Sequence, residues 1–167
     1  MEQIVNKVAE SGLITIDLEK YYPKEELVEI DLKPFLFMEM ILKEKDFREK
    51  LDQHPWENYK NKAVAIWCSS DAILPMWAYM LVSSKLSAFT NSVYVGNKKE
   101  VIEKIVLKNL QEINASDFTD KRVVVKGCGD IEIPPAAYLE ISNKLIPFVK
   151  SLMYGEPCST VPVYKKK

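Results

Sequence analysis

A single histidine, His54, is all the imidazole this chain has, and that scarcity removes a good deal of chemistry. One histidine excludes multi-histidine metal sites and argues against Ser-His-Asp catalysis. Its place in a loop before Pro55 marks it as structural. No Walker loop and no G-x-G-x-x-G occurs, so nucleotide binding has no motif behind it. No apolar run reaches the roughly 18 residues of a membrane span, and Glu2 follows Met1 where a signal peptide would be basic. A cytoplasmic protein without a membrane partner is expected. Neither charge sign dominates: 23 Lys and Arg face 24 Asp and Glu, for a net charge of −1. Such a balance offers no field for nucleic acid or an anionic surface. Residues 1–60 hold 14 acids and 9 bases, the remainder 10 and 14, and Lys165, Lys166 and Lys167 supply much of the difference as a solvated tail. C-x-x-C pairs are also missing. The three cysteines, at 68, 128 and 158, are odd in number and widely spaced, as reduced thiols are and a secreted disulfide framework is not.

What is present bounds the fold. A chain of 167 residues, 47% apolar, suffices for one well-buried domain. Leu13–Leu18 and Leu27–Leu32 alternate like strands and suggest a hairpin or two edge strands. Pro34 opens an amphipathic segment from Phe35 to Leu51 that reads as a helix, ended by His54-Pro55-Trp56. Beyond it the order is regular: strand Ala63–Cys68, helix Leu74–Phe89, strand Ser92–Val95, helix Lys98–Ile113, strand Arg122–Lys126, helix Pro134–Val149. This alternation predicts an α/β fold with a mainly parallel sheet covered by helices on both faces. A short strand, Thr160–Tyr164, is expected at a sheet edge.

The sequence also repeats. At an offset of 59, 12 of the 35 positions from 62 to 96 are identical, among them Asp71 with Asp130, Pro75 with Pro134 and Gly96 with Gly155. Chance would give two or three. The unit is a strand, a turn, a helix and a closing strand. The chain accordingly divides into an N-terminal hairpin and helix (1–58), a first repeat (59–97), a connecting helix (98–117), a second repeat (118–156) and a C-terminal strand with a basic tail (157–167). In one parallel sheet the turns Cys68–Asp71 and Gly127–Asp130 would share the rim where ligands bind. Neighbouring strands lie about 4.8 Å apart, so adjacency would bring the thiols together and an intervening strand would not. Cys158 belongs to a third turn with no counterpart in the first repeat.

Three thiols suit a soft metal, zinc or an iron-sulfur cluster, with Asp71, Asp130, His54, water or a partner in a fourth position. Cys68 aligns with Gly127 and Cys128 with Ser69, a one-residue mismatch; small buried residues at strand ends are the competing reading. Cys128 alone is also a candidate nucleophile or sulfur carrier. Glycines flank it, Lys126 precedes it by two residues, and a helix N-terminus follows, all of which favour thiolate. Asp71 and Asp130 also fit helix capping, and Trp77, Tyr79 and Tyr138 fit packing.

The segments Glu2–Thr15, Cys68-Ser-Ser-Asp-Ala-Ile-Leu-Pro-Met-Trp-Ala-Tyr79, Val125–Asp130 and Gly155–Pro162 resemble an uncharacterised bacterial family catalogued as domain of unknown function 2480. The resemblance spans nearly the whole chain. It implies no set activity, and it suggests a setting near iron-sulfur cluster assembly proteins as partners. Three functions are carried forward: an accessory protein binding a metal ion or iron-sulfur cluster through Cys68, Cys128 and Cys158, with Asp71 and Asp130; a sulfur carrier or transferase using Cys128 and Lys126; and a non-catalytic interaction module, which admits a homodimer.

Overall fold

The structure, a computed structural model, describes residues 12–127 and 129–167. It is a mixed α/β fold in which mainly parallel sheets are flanked by four α-helices. The strands divide between two sheets, and the chain between two compact units, Pro23–Ile102 and residues 12–22 with Glu103–Lys167.

In the unit Pro23–Ile102 the sheet order is β2-β3-β4, all parallel, with β2 Leu27–Asp31, β3 Ala63–Trp67 and β4 Val93–Val95. Ala63, Val64, Ala65 and Ile66 are all buried, the continuous apolar run of a strand covered on both faces. Helix α1 (Glu44–Asp52) buries Phe47 and Leu51, one turn apart on one face, and carries Glu44 and Asp46 in its first turn, where carboxylates complement the helix dipole. Helix α2 (Met76–Leu86) buries Ala78, Val82 and Leu86 at the same four-residue spacing.

The other unit has the order β1-β5-β6-β7, with β1 Leu13–Asp17, β5 Arg122–Lys126, β6 Ser151–Glu156 and β7 Ser159–Lys165. The first three are parallel, and β7 returns antiparallel at the edge, as the sequence suggests for this stretch. Helix α4 (Pro135–Leu145) buries Ala137, Ile141 and Leu145. Helix α3 (Lys98–Gln111) leads into this unit, where Val106 and Leu110 are fully buried.

The 59-residue correspondence reaches further than the sequence identities. Residues 103–111 of α3 match α1, with Val106 and Leu110 in the places of Phe47 and Leu51. The 3-10 turns Trp56–Tyr59 and Ala115–Phe118 match residue for residue. Upstream, the pattern Leu-x-x-Ile-Asp-Leu occurs twice, at Leu13–Leu18 and Leu27–Leu32, and pairs in the same register: Asp17 beside Lys126, and Asp31 beside Trp67.

Of the two readings of the N-terminal strands, the structure takes the second: Leu13–Asp17 and Leu27–Asp31 are edge strands, each parallel to a different central strand, and not a hairpin. One expectation changes. The helix expected from Phe35 begins only at Glu44. Lys33–Phe35 is a 3-10 turn, and Met38 and Glu39 take left-handed φ of 49° and 59°, reversing the chain so that Phe37 N–H donates to the Ile41 carbonyl at 2.7 Å. Lys50 Nζ, from α1, donates to the Pro34 and Leu36 carbonyls at 2.9 and 3.2 Å and ties this loop down.

Candidate functional site

Parallel strands end at one edge of their sheet, and in the four-stranded sheet that edge is chemically rich. Asp17 closes β1, Lys126 closes β5 and Glu156 closes β6. Lys126 Nζ lies 3.7 Å from Asp17 Oδ2 and 3.6 Å from Glu156 Oε1, so one ammonium links the ends of all three parallel strands. Asp17 Oδ1 also accepts the Glu19 N–H at 3.1 Å and starts the 3-10 turn Leu18–Tyr21. Glu19 turns back towards the loop after β5. Its Oε1 is buried and has no hydrogen-bond partner among the described residues.

Neighbours crowd the two glycines of that loop. A Cβ on Gly129 would collide with the Glu19 carboxylate, and one on Gly127 with the Tyr138 hydroxyl. Cys128, between them in sequence, lies outside the described residues. Cys158 is exposed in the turn joining β6 to β7. Asp130 is exposed as well.

The corresponding edge of the three-stranded sheet is closed by hydrogen bonds. Asp31 Oδ1 accepts the Lys33 N–H and the Ser69 N–H, both at 3.0 Å, and Oδ2 accepts the Ser69 hydroxyl at 2.6 Å. Burial pushes the Asp31 carboxyl up, but these hydrogen bonds, the Ser69 hydroxyl foremost, together with the Lys33 charge, leave its pKa below the ordinary 3.8. Cys68 is half-buried, with Sγ 3.4 Å from Ser70 Oγ. Trp67 stands where the other sheet has Lys126, and its Nε1 is buried without a partner among the described residues.

The residues singled out from sequence are therefore distributed as follows. The turns after β3 and β5 belong to different sheets, so β3 and β5 are not neighbouring strands. Among the described residues, which do not include Cys128, no three His, Cys, Asp or Glu side chains form a metal-holding group. Asp71 and Asp130 do not cap the following helices: Pro75 and Pro134 stand at the N-caps, and neither helix has a side-chain cap. Trp77 and Tyr79 pack against the core, and Tyr138 packs edge-on against Tyr154. His54 sits among Phe35, Trp56 and Tyr59 with Nε2 2.8 Å from the Tyr59 hydroxyl; burial lowers its pKa from the ordinary 6.5, with Glu57 opposing.

Sequence reasoning missed Asp17, Glu19 and Glu156. The repeated Leu-x-x-Ile-Asp-Leu was the signal available, because it puts Asp17 and Asp31 at the same place in two like strands.

A family model described as Protein of unknown function (DUF2480) matches residues 2–166. No curated protein and no solved structure gives a significant match.

Proposed function

The chain belongs to the domain of unknown function 2480 family, and we propose that its working surface is the carboxyl edge of the four-stranded sheet. There Cys128 and Cys158 supply sulfur to a metal ion or cluster, and a carboxylate of the same edge, water or a partner completes the ligand set. The observation that carries this is the Lys126–Glu156 ion pair at 3.6 Å. It draws together the ends of two adjacent parallel strands, and each cysteine follows its strand end by two residues.

Electrostatics supports a cation here. Asp17, Glu19, Asp130 and Glu156 outnumber the Lys126 ammonium, which already stands between two of them. Thiolates with carboxylate suit zinc, and thiolates suit iron-sulfur clusters. The same pairing weakens the sulfur-carrier alternative, because the two carboxylates beside Lys126 offset the stabilisation its ammonium could give a thiolate. Cys68 follows β3 of the other sheet, where Trp67, Ser69 and Asn97 hold the sequence positions that Lys126, Cys128 and Glu156 hold in this half of the chain. The proposed ligand set needs only the two cysteines that follow β5 and β6, and Cys68 and Asp71 are not part of it. The iron-sulfur setting suggested by the family resemblance makes iron the first metal to look for and assembly proteins the first partners.

Anaerobic purification with elemental analysis and an absorption spectrum tests this. Metal or chromophore is expected in the natural protein and in Cys68→Ser, and is lost in Cys128→Ser and Cys158→Ser. Metal-free natural protein, or equal loss in Cys68→Ser, would overturn it.

A further inference from the structure

Beside helix α4, the four-stranded sheet holds an open pocket of about 380 Å³, a size typical of small-molecule sites. Val125 and Leu152 form part of its floor, and Tyr138 and Ser142 of α4 stand one turn apart on one wall. Tyr154 meets Tyr138 edge-on, ring centroids 5.8 Å apart at 70°. The far wall is Val163, whose position depends on an irregularity in the sheet. Leu152 pairs with Tyr164 and Met153 with Pro162, which leaves Val163 as the extra residue of a β-bulge. Pro162 has no N–H to give the ladder, and bulges commonly re-aim a side chain.

We propose that this cavity binds one small, uncharged, planar aromatic molecule that carries a single hydrogen-bond donor. Seven residues line this space, the footprint of a small molecule and short of the roughly 20–30 residues a side of a stable protein interface. A charged ligand would find no partner, because no Lys, Arg, Asp or Glu is among those seven. Two tyrosine rings meeting edge to face offer an aromatic ligand the same geometry. The Ser142 hydroxyl donates to the Tyr138 carbonyl at 2.6 Å, so towards the cavity its oxygen can only accept. This site is independent of the metal proposal and shares no residue with it.

Indole and 1-methylindole are suitable probes, titrated into the isotope-labelled protein and followed by amide chemical shifts. Indole should give saturable shifts centred on Tyr138, Ser142 and Tyr154, and 1-methylindole, which has no donor, should bind roughly 2- to 10-fold more weakly. Ser142→Ala should bring indole down to the level of its methylated analogue. Val163→Trp, at an exposed bulge, should abolish both while the thermal unfolding midpoint holds. Leu139→Trp, an exposed position on the same helix outside the lining, should change neither. Non-saturable or scattered shifts, equal binding of the two probes, or binding that survives Val163→Trp would overturn the proposal.

Discussion

Asn61 and Asp120, 59 residues apart, adopt the same left-handed backbone, φ 59° and 58°, and donate their N–H groups to matching carbonyls, Phe89 at 3.1 Å and Phe148 at 2.9 Å. Each turn feeds the central strand of its own sheet. The left-handed region costs a β-branched residue about 1–2 kcal/mol and glycine almost nothing. We therefore expect Asn61→Val to lower the unfolding free energy measured in urea by about 1–2 kcal/mol and Asn61→Gly to leave it nearly unchanged. Equal effects would show that the backbone there is unstrained.

Gly127 leads to a second expectation. Alanine at 127 should cost about 1–3 kcal/mol, because its methyl would collide with the Tyr138 hydroxyl. Removing that hydroxyl with Tyr138→Phe should relieve much of the cost. A double-mutant cycle by denaturant unfolding measures the coupling, and strictly additive losses would contradict the contact.

Acid should expose the Asp31–Ser69 closure. The folded-state pKa of Asp31 is depressed, so its contribution is present above the ordinary value of 3.8 and is lost as pH falls through the lower folded value. Ser69→Ala removes the hydroxyl bond and should flatten the decline of the unfolding midpoint over that acid range. An unchanged slope would mean that Ser69 does not hold the carboxylate.

His54 should act at higher pH. Burial depresses its folded pKa, so as pH falls below about 6.5 the unfolded chain takes up the proton first and stability declines until the folded value is passed. Comparing urea midpoints near pH 7.5 and near pH 5 checks this. His54→Phe should remove the difference, and a natural protein more stable at the acidic end would contradict it.

How much of this was legible depended on range along the chain. Arg122–Lys126 and Ala63–Trp67 announce themselves through β-branched and small apolar residues, and the identical pairs at offset 59 locate both strand-helix-strand units. The sheet division was not legible, because Leu13–Asp17 and Leu27–Asp31 are close in sequence yet pair with strands about 110 and 36 residues onward. The start of α1 was hidden too. Nothing in Met38-Glu39 signals a left-handed backbone, and tertiary ties such as Lys50 to Pro34 decide the loop. For the candidate site, Lys126 was legible through its place at a strand end. Asp17 and Glu156 were not, since each meets it only through strand pairing.

X-ray absorption of the metal-loaded protein addresses the central claim most directly, because it counts the sulfur atoms around the metal. For a single zinc ion we expect two sulfurs at about 2.3 Å, from Cys128 and Cys158, with lighter atoms completing the shell, and the same spectrum from Cys68→Ser. Three sulfurs, with one lost on replacing Cys68, or a shell without sulfur would contradict it.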